Sequence, residues 1–150
     1  MGAVTYPNPS VVEFIEENLV PVQLRFDAEP ESTDFKLRWT PTVITLDWEG
    51  QEHHRTVGFL SPEQLIPSLL LGIGKAYFDR EQFGDALSAF DRLLAGYPES
   101  DSAPEAIYLS GVSRYKSTHD AKPLKEAYER LQAEYPTSEW TRRAYPYRLL

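Results

Sequence analysis

The stretch LGIGKAYFDREQFGDALSAFDRLLAGYP, residues 71–98, decides the fold of the second half of the chain. Small residues stand at Gly74 and Ala86, and large aromatic residues stand at Tyr77 and Phe90. Where two antiparallel helices touch, small residues allow close contact and aromatic rings fill the space beside them. The proline that closes the stretch ends the second helix, because proline has no backbone N–H to donate. The spacing therefore predicts a packed helix pair with these four side chains in its core.

A similar unit recurs further along the chain. LLAGYPES (93–100) reappears as LQAEYPTS (131–138), and the sequence SAPE (102–105) caps the helix between them. The extra length of the second unit fits a loop over residues 117–123. Residues 140–150 then begin another first helix, which Pro146 kinks or stops, so we expect them to cap the array.

These positions resemble the tetratricopeptide repeat, a unit of two helices and about 34 residues. The resemblance is carried by Gly74, Tyr77, Ala86, Phe90 and Pro98. It implies stacked helix pairs that bind a protein or peptide partner in a groove along the first helices. The candidate groove residues are Lys75, Asp79, Tyr108 and Arg114.

Residues 1–72 follow a different pattern, which predicts an α/β domain ahead of the all-α repeats of residues 73–150. Residues 1–60 carry 10 acidic and 4 basic side chains, a net charge of −6, whereas residues 61–150 carry 13 and 11, a net charge of −2. We place the domain boundary near residues 70–73. The predicted elements are a helix from Asn8-Pro9 to Asn18, a strand at 19–27 with alternating apolar residues, a short helix at 33–38, strands at 42–47 and 52–59 around a turn at Gly50, and a helix from Ser61 to Leu70.

This order of elements, with Thr40-Pro41-Thr42 ahead of a strand, resembles the thioredoxin fold. The resemblance implies a truncated sheet, because the family's first strand and Cys-x-x-Cys motif would stand immediately before Ala3. It also implies that Pro41 is the family's cis-proline and that the backbone of Thr40 docks a peptide. Trp39 lies beside this loop and either contacts a partner or packs locally. The candidate peptide-docking residues are therefore Trp39, Thr40 and Pro41.

A missing central strand would leave the strands at 19–26 and 42–47 without a partner. Each unpaired backbone group costs about 1–3 kcal/mol if it is buried. Either the sequence is a piece of a longer protein, or another chain fills the gap. We expect a homodimer formed through the unpaired sheet edges.

Composition excludes several classes of function. The net charge of −8 argues against nucleic acid as a partner, and the absence of cysteine removes disulfides, thiolate catalysis and cysteine-bound zinc. His53 and His54 face opposite sides of a strand and so are poorly placed to chelate one metal. We expect no catalytic residue, no cofactor, no metal and no membrane span. The N-terminal residues lack the pattern of a signal peptide, so we expect a cytoplasmic protein.

Three functions fit these observations. The first is a non-catalytic interaction module, in which a redox-inactive thioredoxin-like platform is joined to helical repeats. The second is a fragment of a thiol–disulfide oxidoreductase whose Cys-x-x-Cys lies upstream of Met1. The third is an assembly protein whose truncated sheet serves only for dimerisation. We favour the first, which grades into the third, and the second is the alternative.

Overall fold

The computed structural model describes residues 1–150. Seven α-helices, one hairpin and a final 3-10 helix make up the chain, and consecutive helices from α3 to α7 pack on one another. The elements are α1 (Pro9–Asn18), α2 (Glu31–Asp34), β1 (Thr42–Leu46), β2 (Glu52–Val57), α3 (Pro62–Asp79), α4 (Phe83–Gly96), α5 (Ala103–Thr118), α6 (Lys122–Glu134), α7 (Glu139–Ala144) and the 3-10 helix Tyr145–Leu149.

The start of α1 confirms the predicted cap. The Asn8 side-chain oxygen accepts a hydrogen bond from the backbone N–H of Ser10 at 3.0 Å, and Pro9 takes the first helical position. Proline fits there because its missing N–H would have had no partner within the helix. Val11 and Phe14 form the buried face of α1, which packs against α3.

The predicted strand at 19–27 is wrong. The sheet consists of β1 and β2 alone, and residues 19–27 form no strand. The alternating apolar side chains of this segment stay exposed, from 91% at Val20 to 50% at Phe26. A strand needs a neighbouring backbone to exchange hydrogen bonds, and no second strand lies beside this segment. An incomplete thioredoxin-like sheet is therefore not confirmed.

The short helix before the hairpin is also displaced from its predicted position. It spans Glu31–Asp34 rather than residues 33–38. Lys36 has a φ of 50°, in the left-handed region, which a continuing α-helix cannot contain. The helix therefore ends before that residue.

The hairpin forms where it was predicted, with strands one or two residues shorter at their ends. Its strands are antiparallel, with Thr45 opposite His54. Gly50 has a φ of 81°, a conformation that glycine adopts without steric cost. The Asp47 Oδ1 atom accepts hydrogen bonds from two backbone N–H groups of the turn, those of Glu49 and Gln51, at 2.9 Å each.

Helix α3 begins as predicted but does not end at Leu70. Ser61 precedes it and Pro62 takes the first position, although the Ser61 side chain makes no capping hydrogen bond. The helix continues unbroken to Asp79, because its buried face extends past Leu71 to Gly74. The boundary predicted near residues 70–73 therefore falls inside α3. One hydrophobic core joins α1 and α3 to α4 and α5 across that point.

Helices α3 and α4 form the predicted pair. A Cβ atom at Gly74 would overlap the ring of Phe90, which is fully buried. Tyr77, in contrast, is 37% exposed and does not belong to the core. The end of the pair is closed instead by Phe78 and Phe83, whose rings meet edge to face at 5.7 Å.

Helices α5 and α6 form the second pair, which is also held by a close approach at glycine. A Cβ atom at Gly111 would lie 2.6 Å from Ala127 Cβ and 3.0 Å from the Pro123 carbonyl oxygen. Ile107, Ala127 and Leu131 of this pair form a buried hydrophobic cluster with Ala144 of α7. The second unit is therefore a packed helix pair joined to the first through the contact between α4 and α5.

The C-terminal part differs from prediction in its loop. Helix α5 continues to Thr118, and His119 closes it with a φ of 58°, so only residues 119–121 separate α5 from α6. Residues 117, 118, 122 and 123 of the predicted loop are thus helical, and the loop is as short as the one at residues 80–82 in the first pair. Helix α7 ends at Ala144, and Pro146 lies in the 3-10 helix, as the predicted interruption requires.

Candidate functional site

A groove of about 480 Å³ lies where β2 faces α3, α5 and α7. Three of its walls are therefore first helices of successive helical units, and the fourth is a strand of the hairpin. Trp140 is the one hydrophobic residue in the lining. The lining residues are Glu52, His53, His54, Arg55, Lys75, Glu105, Trp140 and Arg143.

Two ion pairs cross or border the groove. The Lys75 Nζ atom lies 2.9 Å from Glu105 Oε1, which links α3 to α5, and both side chains are mostly buried. On β2, the Arg55 guanidinium binds Glu52 at 2.6–2.7 Å and lowers the pKa of that carboxyl. Arg55 also donates to the Phe35 carbonyl oxygen at 2.7 Å. These contacts fix the charged groups in place, so the groove presents them in one arrangement.

The far wall of the groove is aromatic. The centroids of the Trp140 and Tyr108 rings are 5.2 Å apart. The Arg143 guanidinium lies over the Trp140 ring, 4.6 Å from its centroid. Behind them, the hydroxyl oxygens of Tyr108 and Tyr147 are hydrogen-bonded at 3.0 Å. Burial, followed by this hydrogen bond, raises the pKa of Tyr147. The indole is therefore held by packing against Tyr108 and Arg143 where it lines the groove.

His54 is a neutral group in the groove. Its Nε2 atom lies 3.1 Å from the Ser68 hydroxyl oxygen. Burial, with repulsion from Lys75, lowers the pKa of His54 to about 4. At neutral pH this imidazole is uncharged, and with Nε2 bonded to Ser68 it has one ring nitrogen left for a hydrogen bond.

His53 borders the groove, but both of its ring nitrogens bond within a second cluster that the sequence did not reveal. Its Nδ1 atom lies 2.6 Å from Asp79 Oδ2, and its Nε2 atom lies 3.1 Å from Asp47 Oδ2. A second cavity of about 450 Å³ surrounds this cluster. The lining residues of that cavity are Asp47, Glu49, Gln51, His53, Asp79, Arg80 and Gln82.

The peptide-docking loop predicted from Pro41 lies outside the lining of the groove. Trp39 is 67% exposed, and its carbonyl oxygen accepts a hydrogen bond from the Thr42 hydroxyl at 2.7 Å. The Pro41 carbonyl oxygen accepts from the backbone N–H of Gly58 at 2.8 Å, and the Thr40–Pro41 peptide bond is cis. Trp39 therefore lies on the surface of the hairpin rather than in the helical groove.

Comparison with protein families identifies the first helix pair. Residues 68–100 match the family described as tetratricopeptide repeat. This part of the chain is a tetratricopeptide repeat. The match covers most of α3 and all of α4, so it contains the close contact of Gly74 with Phe90. Neither a curated protein nor a solved structure matches the chain.

The structure separates the four residues predicted to line the repeat's groove. Lys75 lies in the groove, and Tyr108 supports it from behind through Trp140. Asp79 binds His53 in the hairpin cluster instead. Arg114 points toward α4, where its guanidinium lies 3.8 Å from Asp91.

The sequence analysis did not place Glu105, Trp140 and Arg143 in the groove. A signal for them was present, since Glu105 and Tyr108 lie three residues apart on α5, as do Trp140 and Arg143 on α7. Residues at this spacing share one face of a helix. The spacing alone does not show which face of each first helix points into the groove, so these residues could not be assigned to it.

No helix is long and apolar enough to cross a membrane. No group of three or more histidine, aspartate or glutamate side chains is placed to hold a metal ion.

Proposed function

We propose that this protein is a non-catalytic interaction module whose groove binds a segment of a protein partner. The observation that carries the proposal is a groove formed by the first helices next to a tetratricopeptide repeat, with Trp140 flanked by fixed polar groups. Repeat arrays of this kind present concave surfaces to other proteins. Tryptophan and arginine are also the residues that most often dominate binding energy at protein interfaces.

The polar lining favours a peptide over a small apolar molecule. Sites for small molecules are mostly lined by hydrophobic and aromatic residues. Here only one of eight lining residues is hydrophobic. Neutral His54 and the ion-paired Lys75 and Arg55 can exchange hydrogen bonds with the N–H and C=O groups of an extended peptide.

The N-terminal part is, in this proposal, a redox-inactive thioredoxin-like platform. The order of α1, a segment of alternating apolar residues, α2, a hairpin that begins after Pro41, and α3 supports it. Thiol–disulfide exchange needs a thiolate, and the sequence contains no cysteine. Trp39, exposed beside Thr40 and Pro41, offers a second contact for the same partner.

Peptides selected from a random library against this protein provide the test of groove binding. We expect Trp140→Ala to weaken their binding at least tenfold, about 1.4 kcal/mol, because it removes the aromatic anchor. Arg143→Ala should weaken binding several-fold, since its guanidinium lies on that ring. Dissociation constants from calorimetry measure both effects, and circular dichroism checks that each variant remains folded.

The chain provides a matched control for these variants. Arg130 pairs with Glu134 four residues away on α6, as Arg143 pairs with Glu139 on α7, but Arg130 does not line the groove. Arg130→Ala should therefore leave the affinity unchanged. Groove binding is wrong if folded Trp140→Ala and Arg143→Ala bind the peptides as tightly as the unmodified protein. A loss confined to Trp39→Ala would move the site to the Pro41 loop.

We also propose that the protein forms a homodimer through the segment of residues 19–26. Val20, Val22, Leu24 and Phe26 alternate along this segment and are 50–91% exposed. In a strand, the backbone N–H and C=O groups of these four residues face one edge, and those of the residues between them face the other edge. Pro21 lies between them and lacks an N–H, so only the first edge can pair fully with another strand. Two copies aligned antiparallel can therefore pair along that edge with all four apolar side chains on one face.

Sedimentation equilibrium tests the dimer. We expect the unmodified protein to sediment as a dimer of a 17.2 kDa chain and Val22→Lys to sediment as a monomer. Val57→Lys places the same charge on another exposed valine, 58% accessible, and should remain dimeric. A monomer at all concentrations for the unmodified protein, or a dimer that survives Val22→Lys, rules out pairing through this segment.

A further inference from the structure

The buried histidine of the hairpin is bound on both sides. The His53 side chain is 2% exposed, and its two ring nitrogens face two different carboxylates. Asp47 comes from the end of β1, whereas Asp79 is the last residue of α3. His53 therefore connects the turn of the hairpin to the C-terminal end of the first repeat helix.

This geometry fixes the charge of the ring. An ionised carboxylate only accepts hydrogen bonds, and a neutral imidazole has only one N–H to donate. Asp47 is held ionised, because two backbone N–H groups and the Arg80 guanidinium, 3.5 Å away, also face it. The Asp79 carboxylate is half-exposed, and its Oδ2 atom lies 2.6 Å from the other ring nitrogen, Nδ1. Both hydrogen bonds can form together only when His53 is protonated.

The other charged groups near His53 are balanced. Glu49 on the turn faces Arg80 at 3.6 Å, and Arg80 stacks on the Trp48 ring at 4.7 Å. On the groove side, Lys75 pairs with Glu105 and Arg55 pairs with Glu52, so the charges within each pair balance. The charged or titratable groups that surround His53 are Asp47, Glu49, Asp79 and Arg80 on one side and Glu52, His54, Arg55, Lys75, Glu105 and Arg143 on the other.

The neighbours of His53 along β2 are groove residues. Glu52, His54 and Arg55 all line the groove, so the position of His53 sets the position of that wall. We propose that His53, Asp47 and Asp79 form a pH-sensitive clasp that holds the hairpin against α3 and releases it when the imidazolium loses its proton. The consequence for partner binding rests on the groove function proposed above, whereas the release of the hairpin does not.

The sign of the effect follows from the two titrations. Burial alone would lower the pKa of His53, but the hydrogen bonds to Asp79 and Asp47 outweigh it and raise the pKa. The clasp therefore contributes its full stability below about pH 6.5, the ordinary histidine pKa, and loses it as pH rises through the raised value. The hydrogen bond to His53 lowers the pKa of Asp47, so protonation of this carboxyl opens the clasp only below the pH at which an ordinary aspartate titrates.

Amide hydrogen exchange of the peptide-free protein tests the clasp. Protection factors for residues 52–57 are measured between pH 6 and pH 9.5, and NMR follows the ring nitrogens of His53. We expect both nitrogens to carry protons at pH 6. Protection of the strand should fall at least tenfold as His53 deprotonates, while the amides of α4 keep theirs.

Variants make the test specific to this ring. His53→Gln should remove the pH dependence of strand protection, and His119→Asn, at an exposed histidine in a left-handed position, should retain it. If His53→Gln does not fold, Asp79→Asn serves instead, because losing that carboxylate should move the transition to lower pH. The clasp is wrong if His53 holds a single ring proton at pH 6, or if strand protection is independent of pH in the unmodified protein.

The two proposals can fail separately. If the strand opens with pH but selected peptides bind equally at pH 6 and pH 9, the clasp stands and its coupling to the groove is wrong. If the affinity of the peptides does not depend on Trp140 at any pH, the groove function is wrong and the clasp proposal is unaffected.

Discussion

Replacing Phe90 by alanine is expected to lower the free energy of unfolding by about 3–5 kcal/mol. The ring is fully buried, and its edge occupies the space left by the missing side chain of Gly74. Alanine would leave a cavity between α3 and α4 that the backbone of the glycine-containing helix cannot fill. Urea unfolding followed by circular dichroism measures the change.

Phe59→Ala is the control for this prediction, because Phe59 is 60% exposed. The same atoms are removed there without a cavity, so the loss should stay below about 1 kcal/mol. Similar losses for Phe90→Ala and Phe59→Ala would show that the helix pair is not packed as described.

Leu131→Ala is expected to cost about 2–5 kcal/mol and to weaken the second helix pair in the same way. Leu131 is fully buried between α5, α6 and α7, with Ile107, Ala127 and Ala144 around it. Its carbonyl oxygen also accepts a hydrogen bond from the buried Thr141 hydroxyl. Thermal unfolding by calorimetry measures the loss as a lower midpoint temperature.

Leu149→Ala is the matched control in the same part of the chain, since Leu149 is 75% exposed. Its effect on the midpoint should be small. This pair of variants examines residues 103–149, which lie beyond the matched repeat of residues 68–100. If Leu131→Ala changes the midpoint no more than Leu149→Ala does, the second unit is not a packed pair.

The helical half was predictable because its determinants are local. The spacing of Gly74, Ala86 and Phe90 specifies two helices in contact, and the structure buries all three. The Asn8 cap and the prolines at the first positions of α1 and α3 likewise act on the first turn of their own helix, and both helices begin where these residues predict. Tyr77 was assigned wrongly because Phe78, its neighbour, takes the closing position.

The sheet was less predictable, because a strand depends on partners distant in sequence. The alternating apolar residues of 19–27 indicate that this segment could form a strand, yet the structure provides no adjacent strand for it to pair with. The contact of His53 with Asp79 joins residues 26 positions apart, and no short motif announces it. The groove was found only in part for the same reason, since β2, α5 and α7 meet there from three separate regions of the chain.

The most direct test of the central claim is to map a selected peptide on the ¹⁵N-labelled protein by NMR. Groove binding predicts the largest amide shift changes at Lys75, Glu105, Arg143 and residues 52–55, with little change on the outer faces of α4 and α6. Changes confined to those outer faces, or to residues 39–41, would contradict it.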